Sequence, residues 1–287
     1  MSVVRLPLMF VLALAFALAG HARAQTVPES FVKEGKLTMA FVNAKPWAYR
    51  DANGTLRGLE VDIVQAALGP SGLKTIDPVS TEFASIIPGL QSQRFDMSNG
   101  GMFITPQRCK MVAFSDPYLK LADGLIVKAG NPLKIKSYKD FVERPSLRLG
   151  TLRGNTNALN AELAGVPMSR QLLLPDPPSL ISALLGDRLD GVSLSVGTLV
   201  ALLADPNLKG LERAIPFTGY VDPATGQEKV GYSAFAFRPD EAGLKKLFDD
   251  ALARMKRDGT LERILATYGF SAADLPIGVT AAAVCHG

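Results

Sequence analysis

Two stretches of this chain repeat one another at a constant offset, and that echo restricts the fold more than any other feature. "SIIPGLQSQRFD" occupies 85–96 and "SLISALLGDRLD" occupies 179–190, with Ser, Ile, Leu, Arg and Asp coinciding in register. Each copy opens on a Ser suited to cap a helix, continues with apolar residues at helical spacing, and ends in Arg-x-Asp before a short extended run. Each therefore reads as a helix feeding a strand.

The flanks extend the echo. Upstream of the first copy, "KLTMAFV" (36–42) reads as a strand and "GLEVDIVQAALG" (58–69) as a helix. Upstream of the second, "SLRLGTL" (146–152) reads as a strand and "NTNALNAELAG" (155–165) as a helix. Strand, helix, strand, helix, strand is the alternation of a parallel α/β sheet, here present twice. Between the copies "GLIVKAGNP" (124–132) is an apolar strand ending in a Gly-Asn-Pro turn. "GYSAFAFR" (231–238) is a matching strand after the second copy, before a mostly helical tail from 239 to 287. The expectation is an α/β protein of two lobes joined by two strand crossovers that act as a hinge. Residues 25–127 and 233–287 form one lobe and 128–232 the other. Ligands of open α/β sheets bind at the carboxyl ends of the strands, which two facing lobes turn toward one cleft, with hinge closure as the expected motion.

The first residues address the chain. Arg5 precedes an apolar run over 6–20, and "HARA" supplies Ala22 and Ala24 as a small-x-small cleavage pattern. This is the layout of a secretory signal peptide over 1–24. The competing reading, a membrane anchor, needs about 20 apolar residues. Removal of the segment takes Arg5 and Arg23 from a net charge of +4. What remains is weakly basic, and with no Lys/Arg run a nucleic-acid partner is not expected. With 47% hydrophobic residues, the remainder can bury a sizeable core.

The two cysteines, Cys109 and Cys285, read as one disulfide in an oxidising compartment, two unrelated buried thiols being the alternative. Of two histidines, His21 lies in the signal segment and His286 beside the end. A Ser-His-Asp triad or a histidine metal site is thereby excluded from the folded body. No metal or cofactor is expected.

Along nearly its whole mature length the chain resembles the solute-binding proteins of bacterial ABC importers, in the branch that binds polar amino acids. "GLEVD" (58–62), "FDMSNGGMFITPQR" (95–108), "VAFSDPY" (112–118) and Gly154-Asn155-Thr156, where the family carries Gly-Thr-Thr, bear the resemblance. It is most similar to the ectoine/hydroxyectoine-binding subgroup, through "TEFASIIPGL" (81–90), "ITPQRCKMVAFS" (104–115), "KAGNP" (128–132), "GLERAIPF" (210–217), "GYSAFAFR" and "ADLPIGVT" before Cys285. The paired cysteines belong to that resemblance too. It implies the type II periplasmic-binding-protein-like fold, a periplasmic location, a monomer, a small zwitterionic ligand and a membrane permease as partner.

It also implies site residues. An arginine at the place of Arg108 pairs with the ligand carboxylate, a role that suits the two parallel N–H bonds of a guanidinium. Gly100 and Gly101 would bring backbone N–H groups to the same ligand, and Asn155 and Thr156 open a helix whose N-terminus favours an anion. Trp47, Phe83 and Phe103 match in kind the aromatic box that the subgroup builds around its ligand's cationic part, each face contributing about 0.5–2 kcal/mol.

Two positions depart from the pattern. Where α-amino-acid binders hold the ligand ammonium with an aspartate, this chain has Ser195, and the ectoine subgroup lacks that aspartate too. Where that subgroup has a glutamate after the asparagine matching Asn43, this chain has Ala44. The first loss takes away the charge partner of a primary ammonium and argues against ordinary amino acids. The second removes an acceptor for the ligand's ring N–H and counts against ectoine itself, so a related zwitterion with a dispersed positive charge, such as a betaine, suffers less. The chain is expected to be a binder and not an enzyme. A secreted dehydratase acting on prephenate-like compounds is the alternative on the same fold, and a ligand-presenting subunit for a chemoreceptor or sensor kinase is a third.

Overall fold

The computed structural model describes residues 27–286, so the signal segment expected over 1–24 lies outside the described residues. Strand β1 (Lys36–Phe41) leads into a small hairpin of β2 (Tyr49–Arg50) and β3 (Leu56–Arg57), followed by β4 (Thr75–Ser80), β5 (Met97–Ser98), β6 (Ala113–Phe114) and the long β7 (Leu119–Lys128). The second half supplies β8 (Leu149–Leu152), β9 (Gln171–Leu174), β10 (Gly191–Ser195), β11 (Leu211–Arg213), β12 (Val230–Ser233) and β13 (Ala236–Phe237).

Apart from that hairpin, these strands form two sheets of one design. The first runs β4-β1-β5-β13-β6 and the second β11-β7-β10-β8-β9. In each, three strands from one half of the chain are parallel: β4, β1 and β5, and likewise β9, β8 and β10. The next strand is antiparallel in both: β13 beside β5, and β7 beside β10. The purely parallel sheets expected from the alternation are thus mixed. A strand that arrives from the other lobe enters at the cleft end and runs back against its neighbours.

The change of sheet falls inside β7. Residues 119–122 pair with β12, and 123–128 pair with β10 and β11, so the switch precedes the boundary expected at 127/128. The single strand expected over 231–238 is two, β12 in the crossover and β13 in the first sheet.

The Arg-x-Asp echo has a structural cause. Asp96 accepts a hydrogen bond from the Thr38 backbone N–H at 2.9 Å, and Asp190 accepts one from the Arg148 N–H at 2.8 Å. In each lobe the carboxylate before the third strand thereby ties down the start of the first. The Ser caps are not formed. The helix Pro177–Leu185 is capped by Asp176, whose side chain accepts from the Ser179 N–H, and Ser85 ends a 3-10 turn, Phe83–Ser85, ahead of the helix Ile86–Gln91. Asp176 has the extended backbone that lets its side chain fold back onto the first turn, a position three residues earlier than the one assigned from the echo.

Cys109 and Cys285 form a disulfide with Cα atoms 5.8 Å apart. It joins the short helix Pro106–Cys109 to the last helix, Ala281–His286. Among the described residues no helix is long and apolar enough to cross a membrane.

Candidate functional site

The carboxyl ends of β1, β8 and β10 converge on a small cavity. Its walls are Val42, Ala44, Trp47, Phe83, Gly100, Gly101 and Phe103 from the first lobe, and Leu152, Asn155, Pro177, Leu194, Ser195 and Thr198 from the second. Seven of the nine positions assigned from sequence therefore meet in one place. Arg108 and Thr156 do not line it. They line an adjoining depression of about 240 Å³ with Thr105, Gly154 and Asn155, so Asn155 is common to both.

The cavity measures about 20 Å³, room for roughly one water. Solute sites are typically about 300–1,000 Å³. The lobes are thus shut upon one another, and two hydrogen bonds cross between them beside the cavity. Trp47 Nε1–H donates to Thr198 Oγ1 at 2.8 Å, and Arg108 Nη2 donates to the Gly154 carbonyl at 2.8 Å.

Arg108 is buried and well anchored. Its Nη1 donates to the Phe103 carbonyl at 2.6 Å, and its guanidinium carbon stands 5.4 Å from the Phe83 ring centroid. Burial lowers its pKa to about 10, which leaves it a cation at neutral pH. The cation over Phe83 is accordingly the protein's own.

Gly100 and Gly101 line the cavity, but their N–H groups point away from it. Both donate to the Glu60 carboxylate, at 2.7 and 3.1 Å, and the Tyr118 hydroxyl donates to the same carboxylate at 2.6 Å. The expectation that these amides meet a ligand is corrected accordingly: an acid 40 residues away in sequence already satisfies them. Glu60 is fully buried, and burial raises its pKa to about 7 against the opposing pull of those three donors. "GLEVD" and "SDPY" thus build the back of the wall, which sequence reasoning missed although both motifs had been singled out.

Gly101 has φ +65°, and a Cβ there would lie 2.8–3.0 Å from three carbons of the Trp47 ring. Only glycine lets the indole lie this close to the backbone. Phe270 stacks on Trp47 with centroids 6.2 Å apart and a 26° interplanar angle. Phe270 belongs to the tail, and no periodicity or motif marks it.

The second-lobe wall is held from beneath. Asp123, paired across the strands with Ser195, accepts hydrogen bonds from Tyr138 (2.7 Å), Asn157 (2.7 Å) and Asn160 (3.0 Å). Burial raises its pKa to about 6. Asn157 and Asn160 lie on the helix Thr156–Leu163, so this network fixes the helix start beside the cavity. Asn155 caps that helix, its Oδ1 accepting from the Thr156 N–H at 2.7 Å.

No group of three or more His, Cys, Asp or Glu suited to a metal exists among the described residues. No acid among the described residues lines the cavity. Two lobes on crossover strands, closing on a small pocket of rings, hydroxyls and one amide side chain, define a binder of a small polar solute.

The comparisons place it more narrowly. The chain belongs to the bacterial extracellular solute-binding proteins, family 3, whose profile matches residues 37–271. It is 31% identical over 261 residues, 90% of this chain and 85% of the relative, to the probable amino-acid ABC transporter periplasmic-binding protein y4tE of Sinorhizobium fredii. Among solved structures it is similar to EhuB in complex with hydroxyectoine, with a TM-score of 0.80 and 32% identity over 90% of this chain and 96% of that one. It is also similar to an ancestral amino acid-binding protein, a precursor of cyclohexadienyl dehydratase, with a TM-score of 0.70 and 26% identity over 83% and 97% of the two chains. The fold is the type II periplasmic-binding fold, and the protein is an extracytoplasmic solute-binding protein of an amino-acid-type ABC importer.

Proposed function

We propose that the protein captures a small zwitterion with a dispersed positive charge, of the ectoine, hydroxyectoine or betaine kind, in the periplasm and delivers it as a monomer to the membrane permease. The observation that carries this reading is a cavity walled by Trp47 and Phe103, with Phe83 covered by Arg108, and with no carboxylate among the described residues that line it. Ring faces attract a delocalised or alkylated cation, whereas a primary ammonium needs a strong acceptor once it leaves water. On opening, Arg108 exchanges its cross-lobe carbonyl for the ligand carboxylate, next to the N-terminus of the helix Thr156–Leu163. The solved neighbour that contains hydroxyectoine supports the same ligand class.

An enzyme reading draws on Glu60, whose pKa of about 7 would suit a general acid or base. Glu60 stands behind the Gly100–Gly101 turn, however, with both oxygens engaged. The binder reading is therefore preferred, and a turnover assay with prephenate and arogenate is expected to yield no product.

The ligand test is a thermal-shift panel of ectoine, hydroxyectoine, glycine betaine, proline betaine and the common amino acids. A ligand at 100 times its Kd adds about 2.7 kcal/mol to stability. Shifts are expected from the first four compounds. Shifts from α-amino acids alone would overturn the proposal.

A further inference from the structure

The strip that bears Phe103 is stitched to the hinge. The Ile104 N–H donates to the Tyr232 carbonyl at 2.9 Å, the Ala234 N–H donates to the Met102 carbonyl at 3.0 Å, and Phe103 bridges Ser233 between them. On its other edge β12 pairs with residues 119–122 of β7. Residues 102–104 therefore form the third strand of a ribbon whose other two strands are the crossovers between the lobes.

Within that ribbon Gly231 meets the Phe103 ring. A Cβ at 231 would lie 2.0 Å from Cδ2, 2.1 Å from Cε2 and 2.5 Å from Cγ of the ring, where non-bonded carbons stand about 3.5–4.0 Å apart. The ring thus occupies the space that a side chain at 231 would fill. Turning it about the Cβ–Cγ bond leaves Cγ in place, so a ring flip does not remove the overlap. Either the ring swings about Cα–Cβ or the strip parts from the crossover strand. Phe103 is buried, and the empty space that it borders is the ligand cavity. The main chain at 231 is that of a paired strand, opposite Leu121, and its φ is not positive. Glycine is required here by the approach of the ring and not by the backbone.

We propose that Gly231 is a positioning residue for the ligand site: its missing side chain is the seat of Phe103, and the seat fixes how far the ring stands into the cavity. A residue of the hinge, outside the cavity lining, thereby becomes a determinant of affinity. The choice of ligand rests on the zwitterion-binding reading; the seat itself rests on the packing of Phe103 against β12.

Gly231→Ala, Phe103→Ala and the double variant form a cycle. Calorimetric titration uses hydroxyectoine and glycine betaine, and follows whichever binds wild type more tightly. G231A is expected to weaken that binding about tenfold, near the lower end of what forcing extra volume into a packed site costs. In the F103A background the same change should alter the Kd by less than about twofold, because no ring remains to be displaced. The melting temperature should behave in the same way. G231A lowers it in wild type, but leaves it unchanged or raises it in F103A, as Ala for Gly does where the space is free. A para-fluorophenylalanine placed at 103 reads the ring itself, and its fluorine resonance should move in G231A. The seat is overturned if G231A binds as wild type does, if it weakens binding equally with and without the ring, or if the fluorine resonance is unchanged. Should F103A not fold, titration and the fluorine resonance of G231A decide the matter. If wild type binds neither compound, the zwitterion reading is what fails, and the melting temperatures and the fluorine resonance alone uphold or overturn the seat.

Discussion

At the scale of single residues, Arg108 holds two backbone carbonyls, one in each lobe, and covers the Phe83 ring. A lysine ammonium cannot span both carbonyls in a plane. Arg108→Lys is expected to weaken zwitterion binding about 10- to 100-fold in titration, the range for hydrogen bonds to a charged group. An unchanged Kd would remove Arg108 from the site. Glu60 gives a prediction of a different kind. Its carboxyl is raised from 4.5 to about 7 by burial, so between those values the folded chain holds a proton that the unfolded chain has released. Stability from this group is present below about 4.5 and is lost as pH rises through about 7, up to about 3 kcal/mol in all. Asp123, raised from 3.8 to about 6, acts in the same direction over a lower window. Glu60→Gln should flatten the decline in stability, read as melting temperature, between about pH 4.5 and 7, and an unaltered slope would show that Glu60 is ionised throughout. Seven cavity-lining positions were legible because each sits in a motif or beside a strand end. The direction of the Gly100 and Gly101 amides was not, because Glu60 reaches them from another helix. Thr198 and Phe270 were illegible for a similar reason: a lone threonine in an apolar helix and a phenylalanine in the tail acquire meaning only when the lobes meet at Trp47.

At the scale of elements, the echo of 85–96 in 179–190 located the matching helices and strands, and the pairing explains why the Arg-x-Asp ending recurs. The antiparallel strand in each sheet was not legible, because pairing direction depends on where the chain comes from and leaves no trace in local periodicity. The helix Ala281–His286 is the clearest case of an element held from outside itself. Six residues are too few for an isolated helix, and it is fastened by the Cys109–Cys285 disulfide and by the Ala281 N–H donating to Asp116 at 2.8 Å. The same disulfide steadies the segment that carries Arg108. Paired Cys109→Ser and Cys285→Ser substitution removes a cross-link between residues 176 apart, a loss of at most about 5 kcal/mol in the chain-entropy model. Denaturant unfolding should show a lower midpoint, and exchange of the 281–286 amides should rise before that of β1. Equal midpoints would mean that packing alone holds the tail.

At the scale of the molecule, one buried apolar cluster contains Val42, Phe83 and Met102 of the first lobe and Leu152 and Leu194 of the second, so closure buries apolar surface as well as forming the two cross-lobe hydrogen bonds. A solute that enters must first separate these contacts and then regain them around itself. The apparent affinity is therefore governed by the balance of open and closed forms as well as by the contacts of the site. Gly154 is where that balance can be tilted without touching the rings. A Cβ at Gly154 would lie 3.2 Å from both Cα and Cβ of Ala84 across the cleft, and the residue has φ +78°. Gly154→Ala thus places a small wedge between the lobes, at a local backbone cost of about 1–2 kcal/mol. The radius of gyration from small-angle scattering should increase, and saturating zwitterion should bring it back toward the wild-type value. Affinity should fall roughly tenfold because only part of the population is competent to close on the ligand. Phe83 and Trp47 stay in place in this variant, so weaker binding with an unchanged radius would point to the Arg108–Gly154 contact, and neither change would mean that the lobes already part freely at this point.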